Sequence, residues 1–419
     1  MATAQGGATR RPPPLGPRYR RLWAAHAVSN LGDGVDVVAL PLLAASLTDD
    51  PLLVALVAFA RSGPWLLFAL VSGALVDRGD RRRIMWRSDV VRCALLAGLA
   101  ATVVADRSHI VVLYVVAFGL GTAETLFDNA AQAVLPALVD GHALEAANGR
   151  MYAAEVVTNQ FAGPPLGGLL FAAAMAAPLV LDAASFLAAA ALVASIRGSY
   201  RPNAGGQRRR LRAEIAEGVR WLWRHRLLRV LALALGASNM SFMAGEAILV
   251  LFARRELGLG AAGFGTLMAA AAAGSLIGGL TASRITAALG RARVLLVAAL
   301  IMPVVQFGIG LTSSALVVGA LLAGFGFAAL TWNVVTVSLR QAIVPAAVLG
   351  RVNSVYRFLG WGSIPLGALL GGVLSRAVDL RAPFLAGGVV SLMVAGAIAL
   401  WVDEGAIAAA RAHAPAVSG

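Results

Sequence analysis

The chain has 419 residues, 59% of them hydrophobic and only 13% charged, with a formal net charge of +14. Soluble domains usually carry about a quarter charged residues. There is too little polar surface here for a water-soluble globule, and a mean hydropathy of +0.78 marks a multi-spanning membrane protein. All 35 basic residues are arginine. Without lysine there is neither a Walker A phosphate loop nor a Schiff base, so any uphill work must draw on an ion gradient or another subunit. A single cysteine, Cys93, excludes a disulfide framework, and five scattered histidines show no metal-ligand spacing. No metal or cofactor is expected.

In chain order, residues 1–21 are polar, basic and Pro-rich and lack the order of a signal peptide, which predicts a cytoplasmic basic tail. Six apolar segments follow at 22–47, 52–76, 84–105, 109–132, 151–173 and 177–196, forming an N-terminal bundle over 22–196. Each is close to the roughly 20 residues a bilayer requires, and backbone satisfaction in lipid makes them helices. Residues 197–227 form a cytoplasmic linker: a flexible basic stretch, then an amphipathic helix with Leu211, Ile215, Val219 and Leu222 on its apolar face. Trp221, Trp223 and the arginines suit that helix to an anionic lipid surface. Six more spans, at 228–252, 263–283, 293–312, 315–338, 352–374 and 382–402, make a C-terminal bundle over 228–402, and 403–419 is a cytoplasmic tail.

With the N-terminus inside, 26 arginines fall on the cytoplasmic side and 5 outside, while Arg61, Arg92, Arg229 and Arg357 lie within spans. This positive-inside bias places both termini in the cytoplasm and accounts for the basic charge without nucleic acid. The Ala and Arg richness suggests a GC-rich bacterial genome, and a bacterial inner membrane is the expected location. The halves also echo each other. Asn129, Leu144 and Asn148 correspond to Asn333, Leu349 and Asn353, and the fifth span of each half carries Pro with paired Gly, "GPPLGG" and "IPLGALLGG". Parallel six-helix halves are a secondary-transporter arrangement.

Between the second and third spans stands "GALVDRGDRRR", Gly73–Arg83. It resembles the signature of the major facilitator superfamily, Gly-x-Leu-x-Asp-Arg-x-Gly-Arg-Arg, with Asp80 in place of the second glycine. "SNLGDG", "DAASFLAAA" and "LGRVNSVYR" are similar to segments of the branch holding the enterobactin exporter and macrolide-efflux-like proteins. The resemblance implies a cytoplasmic gate of Gly73, Asp77, Arg78, Arg81, Arg82 and Asp128. In it Asp77 caps span eleven, Arg81 bridges to Asp128, and the latch opens when the transporter faces inward. "GPPLGG" is similar to the span-five element of drug-proton antiporters. Its Gly163, Gly167 and Gly168 permit close helix contact, and Pro164 and Pro165 favour a bend. Span four lacks the arginine that many such antiporters carry.

Ionisable groups in lipid usually face a cavity or a partner. His26, Asn30, Asp33 and Asp36 share one face of span one, and Arg61 in span two is expected to pair with Asp33 or Asp36. Glu124 and Asp128 share a face of span four, and Asp89 and Arg92 form a local pair in span three. Asn239, Met243 and Glu246 share a face of span seven, while Trp332 and Asn333 lie in span ten. Glu155 and Asp182 are expected near span ends, exposed to headgroup water. By the resemblance, spans one, four, seven and ten line the cavity.

The reading is an all-α membrane protein with twelve transmembrane helices in two pseudo-symmetric six-helix bundles, a transporter and not an enzyme. Rocker-switch export of an amphiphilic drug, siderophore or secondary metabolite by proton antiport is expected, by a monomer surrounded by membrane lipid. The alternatives are an importer or uniporter of the same fold, and, of another class, a membrane sensor or lipid flippase. Asp33, Asp36 and Glu124 are the candidate proton carriers, since desolvation disfavours a buried carboxylate's charge. Asn30, Arg61, Asn239, Met243, Glu246, Trp332 and Asn333 are the candidate cavity residues, with Glu246 able to hold a proton or a substrate cation.

Overall fold

The computed structural model describes residues 15–76, 78–140, 143–198, 200 and 211–412. Each apolar run is a helix, because only helices satisfy the backbone of an isolated span in lipid. The first four spans are α1 (Pro17–Leu47), α2 (Pro51–Val76), α3 (Arg81–Val104) and α4 (Ile110–Val134). The fifth is composite: α5 (Leu144–Glu155), a π-wound segment Val156–Ala162, and α6 (Gly163–Ala173). The sixth is α7 (Ala177–Ala194), and the linker helix is α8 (Leu211–Arg224). The seventh breaks into α9 (Arg226–Glu246) and α10 (Leu249–Arg255). Then come α11 (Ala261–Leu289), α12 (Arg291–Leu311), α13 (Ala315–Ile343), α14 (Ala346–Ala377), α15 (Ala382–Trp401) and α16 (Glu404–Ala412). Ten of the twelve spans are long and apolar enough to cross a membrane. The other two are α3, whose first half is charged, and the composite fifth span.

Helix extends further than the apolar runs at both termini. α1 starts at Pro17, inside the expected tail, with proline at a helix start where its missing N–H costs nothing. Tyr19 is buried there, and its hydroxyl donates to the Ala147 carbonyl at 2.9 Å. The expected C-terminal tail holds α16, anchored by buried Ile407 and by Glu404, which accepts from the Ala292 N–H at 2.8 Å.

In the first bundle α1 packs on α6 and α7, α2 on α4, and α3 on α4 and α7. In the second, α9 packs on α14 and α15, α11 on α13, and α12 on α13 and α15. The bundles meet along α2–α14 and α6–α11. The two Pro-Gly elements build corresponding joints. A Cβ on Gly163 would lie 2.5 Å from the Gly34 Cα, and one on Gly167 2.5 Å from the Val35 carbonyl, so α6 rests directly on the backbone of α1. Gly168 faces the Ala261 carbonyl at 2.5 Å, across to the other bundle. In the second half Gly367 and Gly371 lie against the backbone of α9 at Met240 and Ala244, and Gly372 meets Ala55 of α2. Lipid gives helices no hydrophobic drive to associate, so close approach at small residues supplies the contact.

Just before Pro164 and Pro165, where a bend is expected, the span is π-wound over Val156–Ala162. The Gly163 N–H bonds to the Thr158 carbonyl, five residues back, and the two prolines have no N–H to continue an ordinary ladder.

Candidate functional site

The interior of the first bundle holds a charged network drawn from α1, α2, α3 and α4. Arg61 donates from Nη1 to the Glu124 carboxylate, and its Nη2 lies 3.6 Å from Asp33. The expected Arg61–Asp33 pair is therefore present, with Glu124 as the closer partner. Arg92 lies 3.8 Å from Asp89, as a local pair, and its Nη1 also reaches to 3.9 Å from Asp33, tying α3 to α1. Asp89 is 0% and Arg92 1% exposed, so this charge pair is fully out of water. The Arg92 guanidinium lies over the Phe127 and Phe186 rings, at 5.3 and 4.9 Å, which partly replaces its hydration. Both Asp89 carboxylate oxygens and Asp36 Oδ1 have no hydrogen-bond partner among the described residues.

Two neighbours depart from expectation. Asp182, expected at a span end, is buried against Gly32 of α1, and its Oδ1 accepts from the Ser185 hydroxyl at 3.0 Å. The packing of α7 on α1 brings it to the middle of α1. Asn30 donates its amide back to the His26 carbonyl at 2.8 Å, a bond within its own helix, and lines neither central cavity.

The loop signature works within the first bundle. Arg81 donates to the Ala133 carbonyl at 2.8 Å near the end of α4, and Arg82 to the Ile196 carbonyl at 2.6 Å just past α7. Cations at helix C-termini complement the free carbonyls and the dipole. This corrects the Arg81–Asp128 bridge: the guanidinium reaches past Asp128 to the end of the same helix, and Asp128 has no ion pair among the described residues. Asp80, in place of the signature's glycine, caps α3 by accepting from the Arg83 N–H at 3.3 Å. Arg78 is exposed, Gly73 lies in the last turn of α2, and Asp77 lies outside the described residues.

The second bundle is hollow. A cavity of about 640 Å³ is lined by Asn239, Met243, Glu246, Phe325, Trp332, Asn333, Arg340, Arg357 and Trp361, with Gln160 from the fifth span. Spans seven, ten and eleven supply most of its wall, whereas spans one and four do not reach it. Phe242 and Phe325 stack in parallel with centroids 3.5 Å apart, and Asn239 donates to the Gly360 carbonyl at 2.9 Å, tying α9 to α14. Trp65 of α2 packs against Trp361 at 5.4 Å, with Arg357 5.8 Å from its ring. A second cavity of about 230 Å³ lies between the bundles and is lined by Asp33, Asp36, Arg61, Met243 and Glu246. Met243 and Glu246 thus border both spaces.

The end of the molecule away from the termini is tied across the bundles. Arg254 and Arg255, in the last turn of α10, both pair with Asp49, the latter at 2.8 Å, and Arg376 lies 3.5 Å from Asp50. The hydrogen bond from Arg255 holds the Asp49 carboxyl below its ordinary range.

Sequence reasoning did not single out Arg340, Arg357 or the reach of Arg92 to Asp33. Each was visible only as an arginine in or near a span, and the only available signal was that an intramembrane arginine needs a partner.

A helical protein with a charged network in one bundle and a large polar-aromatic cavity in the other defines a transporter of the major facilitator superfamily. The model of the transmembrane secretion effector family matches residues 13–416, and the chain belongs to that family. It is 28% identical over 403 residues to the multidrug efflux pump Tap of Mycolicibacterium fortuitum, an alignment covering 93% of this chain and 96% of the relative. Its fold is similar to that of a mutant of the nucleoside transporter NupG, with a TM-score of 0.74 at 10% identity, covering 92% of this chain and 100% of the other. It is also similar to a bacterial homologue of the iron transporter ferroportin in an inward-facing state, with a TM-score of 0.72 at 16% identity, covering 92% and 98%. At these identities the solved structures speak for the fold alone.

Proposed function

We propose that this chain is an efflux transporter that exports an amphiphilic small molecule across the bacterial inner membrane by proton antiport. The observation that carries the reading is the division of labour between the bundles: carboxylates and guanidiniums in the first, an aromatic cavity of about 640 Å³ in the second, with Glu246 bordering both cavities. Similarity to a multidrug efflux pump supports the direction and the breadth of substrate.

The first bundle takes the protons. Asp33, Asp36 and Glu124 stand around Arg61, and acids outnumber guanidiniums in a region where unbalanced charge is costly. Arg61 and Arg92 then trade partners as acids gain or lose protons. The second bundle takes the substrate: Trp332, Phe325 and Trp361 bury its apolar body, while Asn239, Asn333 and Glu246 fix its polar groups. Occupancy at Glu246 couples the two. The arginine bias puts the termini in the cytoplasm. The Asp49 and Asp50 pairs then close the periplasmic end, and the cavity faces inward. The chain works as a monomer in lipid, driven by the proton gradient without cofactor.

Asp33→Asn tests this in proteoliposomes with an imposed pH gradient. Gradient-driven transport should vanish while folded yield is kept, and unchanged transport would remove Asp33 from the coupling machinery.

A further inference from the structure

The cavity of the second bundle is electrically lopsided. Its deep end carries Glu246, the last residue of α9. Its other end carries Arg340, three residues from the end of α13, and Arg357, eleven residues into α14. In the first bundle every intramembrane arginine is answered by a carboxylate, Arg61 by Glu124 and Asp33, and Arg92 by Asp33 and Asp89. Neither Arg340 nor Arg357 has an ion-pair partner among the described residues. Arg340 lies over the Tyr356 ring at 3.7 Å with its Nε unbonded, and Arg357 touches only the edge of aromatic range at Trp65. Trp332, which lines the same cavity, presents a buried indole N–H with no acceptor among the described residues. Trp332 precedes Arg340 by two helical turns, about 12 Å along α13. Guanidiniums left without an anion inside a membrane protein, beside an unsatisfied donor and a stacked aromatic wall, are complementary to an acceptor-rich anion on an aromatic body.

We infer that the exported molecule carries a carboxylate or comparable anionic acceptor group, bound by Arg340 and Arg357, with its aromatic body directed inward past Trp332 toward Glu246. This rests on the exporter reading and narrows it: an anionic or zwitterionic amphiphile is preferred over a purely cationic one. The guanidinium forks can each give paired hydrogen bonds to one carboxylate, which an ester or amine cannot accept in the same way.

The test is fluorescence titration of the purified full chain with three probes: a dansyl-tagged long-chain carboxylate, its methyl ester and the matching long-chain amine. The carboxylate should bind most tightly. Arg357→Gln should weaken it about ten- to hundred-fold, the range for a hydrogen bond to a charged group, and leave the ester unchanged. Arg357 is read first because its side chain is exposed to the cavity, whereas Arg340 packs on Tyr356. For Arg340 the charge-retaining Arg340→Lys should lose part of the preference and keep the fold. Ester or amine binding as tight as the carboxylate in the unaltered chain would overturn the inference, as would equal weakening of all three probes in Arg357→Gln. Export of the same probes from proteoliposomes separates the two readings. Amine export without carboxylate preference refutes the anion site and leaves the exporter standing. Carboxylate-selective binding with no export of any probe keeps the site and removes the exporter.

Discussion

In the first bundle both arginines that reach the interior are tied to carboxylates, and Arg92 is also enclosed by two phenylalanines. In the second bundle Arg340 and Arg357 face a cavity, with aromatic rings as their neighbours. The helices of the two bundles follow the same plan, down to the glycines at which α6 and α14 rest on α1 and α9. The contrast shows that a shared scaffold leaves interior chemistry free: one copy pairs its guanidiniums with carboxylates, and the other sets them at a cavity wall beside aromatic rings.

The most disruptive way to break this contrast is to remove the cation at the centre of the paired bundle. Arg92→Leu leaves Asp89 without a cation and Asp33 with Arg61 alone. Loss of one member of a buried pair typically costs about 3–5 kcal/mol, and a thermal melt of the purified chain should register it. Adding Asp89→Leu should recover much of the loss, because an apolar replacement of both partners is often neutral. In the hollow bundle Phe325→Ala removes half of the Phe242 stack. Substrate binding, read by titration, should weaken by about two- to tenfold from the lost ring contact, with thermal stability much less affected than in Arg92→Leu. Smaller still, Asp80→Ala removes the cap of α3 and should lower stability by about 1 kcal/mol without changing binding.

The smallest effect belongs to the ion pairs that join the bundles at the end away from the termini. The Asp49 carboxyl titrates below its ordinary range, so its contribution is present above that range and is lost as pH falls through the lowered value. The pair is exposed and weak. Spin labels at Thr48 and Gly260, in a Cys93→Ser background, should show a broader distance distribution in acid, and Asp49→Asn should show the same breadth at neutral pH.

Much of the fold was legible because lipid enforces a simple rule, and Pro, Gly and Arg mark where each span stops. The spacing of Asp33 and Asp36 on one face of α1 was legible for the same reason. What periodicity does not convey is which neighbour a face meets. Ala- and Leu-rich spans carry little information on register between helices. Asp182, five residues into its span, therefore read as exposed when the packing of α7 on α1 in fact carries it to Gly32. Arg81 likewise read as a partner of Asp128, when a long flexible side chain can satisfy itself on any free carbonyl at the end of α4. α16 was hidden because its apolar face is only a few residues long.

The bare-backbone contacts between the bundles, Gly168 on Ala261 and Gly265 on Pro164, also bear on kinetics. Interlocked side chains resist sliding, since each step must lift knobs out of holes and re-sort rotamers. A joint of backbone on backbone offers a smooth track instead. Rolling of the helices along it should meet a shallow barrier, so in the proposed export cycle the rate of alternation should be set by the making and breaking of charge contacts at the two ends more than by friction in the middle.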